Sequence, residues 1–399
     1  MAKNFINIID IGSSKITILV ATPNPLTVVA FKRFNLSQLQ YISLNDPAPL
    51  GKIIAGLMDE IERDLPNFKF KDAYVCINSF NIETSLQGLT KNLSLTNPIS
   101  QEDLDTITQN ISSQKYVNKK IIHSFALRYI LDNQKYSINP IGSYACYLTM
   151  QTLFITLPQE EYKTIENMIH NCHIGLNKVI CAPYASSLSF SNNLKQSEKA
   201  LIIEIGSHFT NLLFFSRGIL LNIEIFNKGI ASIIKQLTYK FNISEKEALY
   251  LIKENSCIKP NDAHLRTVNL NQLQPNGQTV EKSHNLDEIL SIISDYLNQF
   301  FAEINDLLEK RNFKNNLQKV ILTGGGANIK NIDYLASQHI GVETQIRTPV
   351  SVEGFEEAGP QDASLIGSLL YASYHKDEDI TPRDMGFYAQ LKHWIKENL

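Results

Sequence analysis

The sequence predicts a two-lobed α/β protein, and three observations predict it. The chain has 399 residues, too many for one ordinary hydrophobic core. It opens on a strand–turn–strand unit, Ile6–Ala21, INIIDIGSSKITILVA. A unit of the same design, Ala200–Leu221, ALIIEIGSHFTNLLFFSRGILL, recurs about 190 residues later. Each unit has an apolar strand containing an acid (Asp10, Glu204), then Ile-Gly, a polar turn and a second apolar strand. The repeat implies an internal duplication, with a cleft between two related lobes.

Taken in order, the flanks of Gly12-Ser13-Ser14-Lys15 are rich in Ile, Val and Leu, as strands buried in a sheet are. Asn24 to Phe34 continues the strand-rich start. Ile53, Ile54, Leu57, Met58, Ile61 and Leu65 have helical spacing, and Pro66 closes that helix. Ala73–Asn78 (AYVCIN) is a further buried strand. The span 82–157 changes character and reads as an inserted α+β module. Its polar helix, about Gln101–Gln114, opens at Ser100 with Asp103 three residues on, a capping-box start. Gln159–Cys172 is a helix, Lys178–Ala182 a strand, and Pro183–Phe190 a helix with Pro in its first turn.

In the second half, Asn227–Asn255 reads as two helices broken around Asn242. Cys257–Lys282 is polar and turn-rich. Leu286–Lys310 is a long amphipathic helix. Lys319–Ile332, KVILTGGGANIKNI, takes a buried strand into three glycines and then a helix, a turn that lets backbone approach a ligand. Asp362–Ser373 is a short helix with small residues. His375–Met385 is charged and poor in apolar residues, so a flexible linker is expected. Gly386–Leu399, GFYAQLKHWIKENL, is an amphipathic helix with Phe387, Tyr388, Leu391, Trp394 and Ile395 on one arc.

Composition narrows the function. Hydrophobic residues make up 43% and charged residues 19%, as in soluble globular proteins. The formal net charge of −3 argues against a general nucleic-acid binder, which carries a basic face. No segment reaches the roughly 18 apolar residues of a membrane-spanning helix. Asp10 interrupts the first apolar run, so it does not read as a signal peptide. The five cysteines, Cys76, Cys146, Cys172, Cys181 and Cys257, are scattered without a CxxC, which predicts reduced thiols in the cytoplasm. His170 and Cys172 lie two apart on a helix and do not share a face, which argues against zinc. No Walker A pattern and no Ser–His–Asp arrangement is present.

The turn at Gly12–Lys15 can aim backbone N–H groups, two hydroxyls and an ammonium at one point, a way to hold phosphate oxygens. Asp10, just before it, is placed to hold the water shell of a phosphate-bound Mg²⁺. The competing reading is an ordinary hairpin with a polar tip. The duplicated turn favours the phosphate reading, because two such loops facing one cleft would clamp a nucleotide.

With these motifs in hand, the sequence resembles the FtsA family of actin-like bacterial cell-division proteins nearly end to end. Ile9–Lys15 (IDIGSSK) is close to the family's first phosphate motif. His123–Gly142 is similar to the pattern through its inserted 1C subdomain. Leu322–Ala327 (LTGGGA) matches its adenosine loop, and the terminal helix with Trp394 is similar to its membrane-targeting helix. The resemblance implies an actin-like ATPase (ribonuclease H-like) fold. The first lobe is 1–81 and 158–192, the inserted 1C subdomain 82–157, and the second lobe 193–374 with its outer part near 227–308. It implies ATP and Mg²⁺ as cofactors. The nucleotide contacts would be Asp10, Gly12, Ser13, Ser14, Lys15, Gly206, Ser207, Thr210, Gly229, Glu247, Gly324, Gly325, Gly326 and Ala327. Asp10 and Glu204 would hold the metal through water, with Glu204 as candidate catalytic residue.

The implied function is an adaptor that polymerises head to tail on the cytoplasmic face of the inner membrane at the division site. It would anchor the FtsZ ring by the FtsZ C-terminal tail and recruit other divisome proteins. The terminal helix could bury four large apolar side chains in a bilayer, a gross gain of about 6–10 kcal/mol, much of it lost to helix ordering. One copy would bind reversibly and a filament firmly. Two departures from the family pattern bear on turnover. Glu204 stands where the family has Asp, with His208 in the same loop, and the Ala-Glu-x-x-Lys ribose pattern has no clean match around Glu247–Lys253. Nucleotide binding with weak or absent hydrolysis is the expectation. The alternatives are a soluble sugar-kinase-like phosphotransferase, for which no base is evident, and a pilus-type actin-like scaffold.

Overall fold

The opening run forms β1 (Ile6–Ile11) and β2 (Lys15–Pro23), followed by β3 (Leu26–Asn35), α1 (Pro47–Asp64) and β4 (Asp72–Ile77). Then come β5 (Glu83–Asn92), α2 (Gln101–Lys115), β6 (Lys119–Leu131), β7 (Lys135–Ser137) and β8 (Tyr147–Pro158). α3 (Gln159–Asn171), β9 (Gly175–Cys181) and α4 (Ala182–Leu188) complete the first half. The second half begins with β10 (Lys199–Ile205), β11 (Thr210–Ser216), β12 (Ile219–Phe226), α5 (Ile230–Phe241) and α6 (Glu245–Asn255). It continues through β13 (Thr267–Leu273), β14 (Thr279–Asn285) and α7 (Leu286–Lys310). It ends with β15 (Leu317–Thr323), α8 (Ile332–Ile340), β16 (Thr344–Ile346) and α9 (Ala363–Tyr374). This computed structural model describes residues 5–37, 46–137, 139–191, 194, 199–255, 267–274 and 278–374. The expected linker 375–385 and terminal helix 386–399, with Phe387, Tyr388, Leu391, Trp394 and Ile395, lie outside the described residues, as does Cys257.

Two five-stranded sheets carry the architecture, in the orders β3-β2-β1-β4-β9 and β12-β11-β10-β15-β16. In each, the first three strands run antiparallel and the next two join in parallel. The duplication seen in the two hairpins therefore extends through both sheets. Every residue of β1 is buried, because the strand is central and both sheet faces are covered. Period-two alternation splits β10 between two cores. Ala200 and Ile202 face one core, which also holds α4, α9 and the first sheet. Leu201 and Ile203 join the other, formed with α5, α7 and α8.

Helix boundaries follow local chemistry. α5 ends where Asn242 adopts φ 52°, ψ 44°, a left-handed conformation Asn tolerates better than most residues. α7 begins where the Asn285 side chain accepts the Asp287 N–H at 2.9 Å. It buries Ile289, Ile293, Leu297, Phe300, Phe301, Ile304 and Leu308 along one side. The span Cys257–Lys282, expected to be polar and turn-rich, contains β13 and the start of β14, which pair as a ribbon from Thr267 opposite Asn285 through Leu273 opposite Thr279. β14 is almost wholly exposed, so it has no apolar alternation to read, and backbone pairing alone defines it.

Within 82–157, a four-stranded sheet in the order β5-β8-β6-β7 packs under α2. It has its own core, including Leu104, Ile107, Met150 and Phe154. Its outer strand leans on β12, where Thr84 Oγ1 bonds the Asn222 side chain and the Ile223 carbonyl. The capping box is present. Ser100 Oγ accepts the Asp103 N–H at 3.3 Å, and Asp103 Oδ2 accepts the Ser100 N–H at 2.9 Å. Lys91, 2.9 Å from Asp103, and then the Ser100 N–H hold that carboxyl down to about 2. Ser100→Ala should cost about 1 kcal/mol. A urea midpoint equal to wild type would show that the cap adds no stability.

Candidate functional site

The two hairpin turns are built alike. Gly12 N donates to the Lys15 carbonyl at 2.9 Å, and Gly206 N donates to the Phe209 carbonyl at 2.8 Å. A Cβ on Gly206 would lie 2.8 Å from that carbonyl, so the turn excludes a side chain there. The turns meet across the molecule, where Ser13 Oγ accepts the His208 N–H at 3.4 Å. Between them opens a cleft of about 930 Å³. Asp10, Gly12, Ser13, Ser14, Lys15, Glu204, Gly206, Ser207, Gly324 and Gly325 all line it. Residues far apart in sequence thus converge on one space.

The cleft floor carries two buried carboxyls. Asp10 is raised from its ordinary range by burial, against the pull of Lys15. Its oxygens lie 3.4 and 3.5 Å from Ser364 Oγ. Glu204 is pushed up to about 7, chiefly by burial. The Asn211 amide, 2.9 Å from Oε2, pulls the other way, as does Ser186 Oγ at 3.3 Å, while Asp10 pushes it further up. Two such carboxyls are costly alone and would be stabilised by a cation, and oxygen donors of this kind suit hydrated Mg²⁺. Lys15 Nζ sits 2.8 Å from Asp362 Oδ1 and 2.7 Å from the Gln361 carbonyl. His208 is half-buried, and that burial lowers its basicity.

The three glycines after β15 divide their roles. Gly324 has φ +83°, and a Cβ on it would lie 2.5 Å from the Ile205 carbonyl. A Cβ on Gly326 would strike the Ile205 side chain. Both are explained by close packing on the end of β10. Gly325 alone has room, with nothing nearer than 4.0 Å, and it lines the cleft.

Other expected contacts stand back from the wall. Ala327 is buried. Thr210 Oγ1 donates to the Lys228 carbonyl at 2.8 Å. Gly229 caps α5 so closely under Ser207 that its Cβ would lie 2.3 Å from the Ser207 carbonyl. Glu247 turns away and accepts the Asn271 N–H at 2.9 Å. The side of α6 that lines the cleft instead carries Glu245, Lys246, Leu249 and Lys253. Sequence reasoning also missed Arg33, Asn328 and Gln361 on the wall. Arg33 stands opposite Thr17 on the neighbouring strand, a partnership invisible without the β2–β3 register.

No protein-family model matches the chain. A cell division protein FtsA of Borreliella burgdorferi is 22% identical over 384 residues, covering 93% of this chain and 91% of that protein. Among solved structures, the PilM–PilN type IV pilus biogenesis complex is similar at a TM-score of 0.65 and 13% identity, covering 93% of this chain and 99% of the other. MreB 5 of Spiroplasma citri bound to AMPPNP is similar at a TM-score of 0.53 and 12% identity, over 100% of both chains. These likenesses, with the paired sheets, establish the two-lobed actin-like ATPase architecture. Among the described residues no helix is long and apolar enough to cross a membrane.

Proposed function

We propose that this chain is a nucleotide-binding, actin-like cell-division protein that attaches to the inner membrane and tethers FtsZ polymers there. One observation carries the nucleotide part: two hairpin turns of the same construction and the Gly325 turn converge on one cleft with two buried carboxyls at its floor. In this reading ATP lies in that cleft. The turns of Gly12–Lys15 and Gly206–Ser207 meet its phosphates, and Gly325 lies against the nucleoside. Mg²⁺ would be held through water by Asp10 and Glu204, and it would neutralise phosphate charge. Glu204 would be the candidate catalytic residue, and hydrolysis is expected to be weak or absent.

The cell-division part is supported by the likeness to FtsA along nearly the whole chain. Membrane attachment would rest on 386–399 with Trp394, and self-assembly would multiply that weak affinity. Liposome co-sedimentation of full-length protein and Trp394→Asp, with and without Mg-ATP, tests it. Wild type should pellet, more so with Mg-ATP, while the variant stays in solution. Failure of wild type to pellet overturns the tether. Retention of an FtsZ C-terminal peptide by immobilised protein tests the partner directly.

A second reading, an actin-like scaffold of a pilus-assembly machine, is favoured by the likeness to the PilM–PilN complex. It predicts neither liposome binding nor FtsZ-peptide retention.

A further inference from the structure

We infer that Arg33 supplies the net positive charge that meets the phosphate groups of a bound nucleotide, and that Asp362 positions it together with Lys15. The inference rests on the nucleotide reading above and deepens it.

Lys15, the cation of the first turn, does not face the cleft unopposed. Its ammonium is 2.8 Å from Asp362 Oδ1. The Asp362 side chain is only 2% exposed, so water screens the pair weakly. A lysine compensated in this way presents little charge to an incoming anion. The same Oδ1 is also 2.5 Å from Arg33 Nη2. One carboxylate thus serves two cations, and one positive charge is left over. Both cations line the cleft. Asp10, Glu204 and Glu245 line the same cleft, as do Lys246 and Lys253 of α6; the surplus of this cluster is the positive charge held beside the first turn.

Geometry assigns the surplus to Arg33. Lys15 already donates to Asp362 and to the Gln361 carbonyl. Arg33 uses Nε on Thr17 Oγ1 at 3.2 Å and Nη2 on Asp362, and a guanidinium carries five N–H donors in a planar fork. Donors remain for an anion after both bonds are made. Thr17 faces Arg33 directly across the β2–β3 pair, which aims the side chain from a rigid strand. Asp362 is itself fixed. Its Oδ2 accepts the Gly359 N–H and Gln361 Nε2, each at 3.1 Å. Its anchorage is thus independent of the two cations. Gln361 Oε1 in turn accepts from Asn328 at 2.9 Å. Asn328 belongs to the turn that also contains Gly325. A continuous chain of bonds therefore joins the glycine turn to the two cations.

The test is isothermal titration of full-length wild type, Arg33→Gln and Lys15→Gln with Mg-ATP and with adenosine. Wild type should bind both ligands. Arg33→Gln should bind Mg-ATP at least tenfold more weakly while its adenosine affinity stays within twofold. Its loss of Mg-ATP affinity should equal or exceed that of Lys15→Gln, because Arg33 keeps more N–H donors beyond those given to Thr17 and Asp362 than Lys15 keeps beyond those given to Asp362 and Gln361. A merely structural role would weaken both ligands together. Should Arg33→Gln not fold, wild type answers the same question by phenylglyoxal modification with peptide mapping. Mg-ATP should protect Arg33, and adenosine should not. Undiminished Mg-ATP binding by Arg33→Gln, or no protection, overturns the inference and leaves nucleotide binding standing. Wild type that binds neither ligand overturns both.

Discussion

Gly367→Ala is expected to destabilise the protein by about 3 kcal/mol or more, the upper end of overpacking costs. Gly367 lies in α9 where the helix crosses α4. A Cβ added there would stand 1.7 Å from the Ala185 carbonyl oxygen and 2.4 Å from its carbon. The obstacle is helix backbone, so no side-chain rotation can relieve it. The two helices would have to move apart. They share one core with the first sheet and with the inner face of the second, and α9 also brings Ser364 to Asp10. Separation would therefore loosen the cleft as well as the core.

The matched control is Gly56→Ala in α1, where an added Cβ meets nothing within 4 Å. That exchange should stabilise by up to about 1 kcal/mol, from helix propensity. Thermal unfolding of the two variants should therefore move in opposite directions. A Gly367→Ala protein with the melting temperature of wild type would refute the close crossing of α4 and α9.

Glu204→Gln should stabilise the nucleotide-free protein above pH 7, by up to about 3 kcal/mol from the linkage between protonation and folding. The sign follows from the raised folded-state value. Glu204 is pushed from its ordinary 4.5 to about 7, burial being the main cause. Below about pH 4.5 the carboxyl is protonated whether the chain is folded or not, and its favourable share of stability is complete. As pH rises from there through 7, the unfolded chain ionises freely while the folded one is forced to bury a charge, and that share is lost. Glutamine is neutral throughout and its amide oxygen can keep the bonds from Asn211 and Ser186, which now reach Oε2 at 2.9 and 3.3 Å.

The difference between variant and wild type should thus be near zero at pH 4.5 and full by pH 8. Chemical denaturation at several pH values measures it. An advantage that does not change with pH would mean that Glu204 titrates as an ordinary carboxyl. A buried acid retained against its own stability breaks a local rule, as functional sites do.

Much of this protein was legible in the chain itself. Local patterns sufficed wherever burial leaves a periodic trace. The alternation and density of Ile, Leu and Val announced β1, β2, β10 and β11. The spacing of Ile289, Ile293, Leu297 and Phe301 marked α7, whose bounds, Leu286–Lys310, are those the pattern predicts. Ser100 with Asp103 marked the start of α2, and Asn242 the break between α5 and α6. The repeated Ile-Gly turn announced two related halves, because the same backbone turn demands the same glycine.

Tertiary structure decided the rest, because the remaining facts depend on which distant residues share a space. The β13–β14 ribbon escaped notice since pairing, not apolar pattern, defines it. Glu247 faces Asn271 while Glu245 faces the cleft, a choice set by how α6 is seated on its neighbours. Gly326 and Gly325 look identical in sequence, yet one is required by Ile205 and the other is open to the cleft. The partnership of Lys15, Arg33 and Asp362 spans 347 positions of the chain. A one-dimensional pattern records propensity and periodicity; electrostatic balance in a buried site is a property of three-dimensional neighbours, and only the folded chain brings them together.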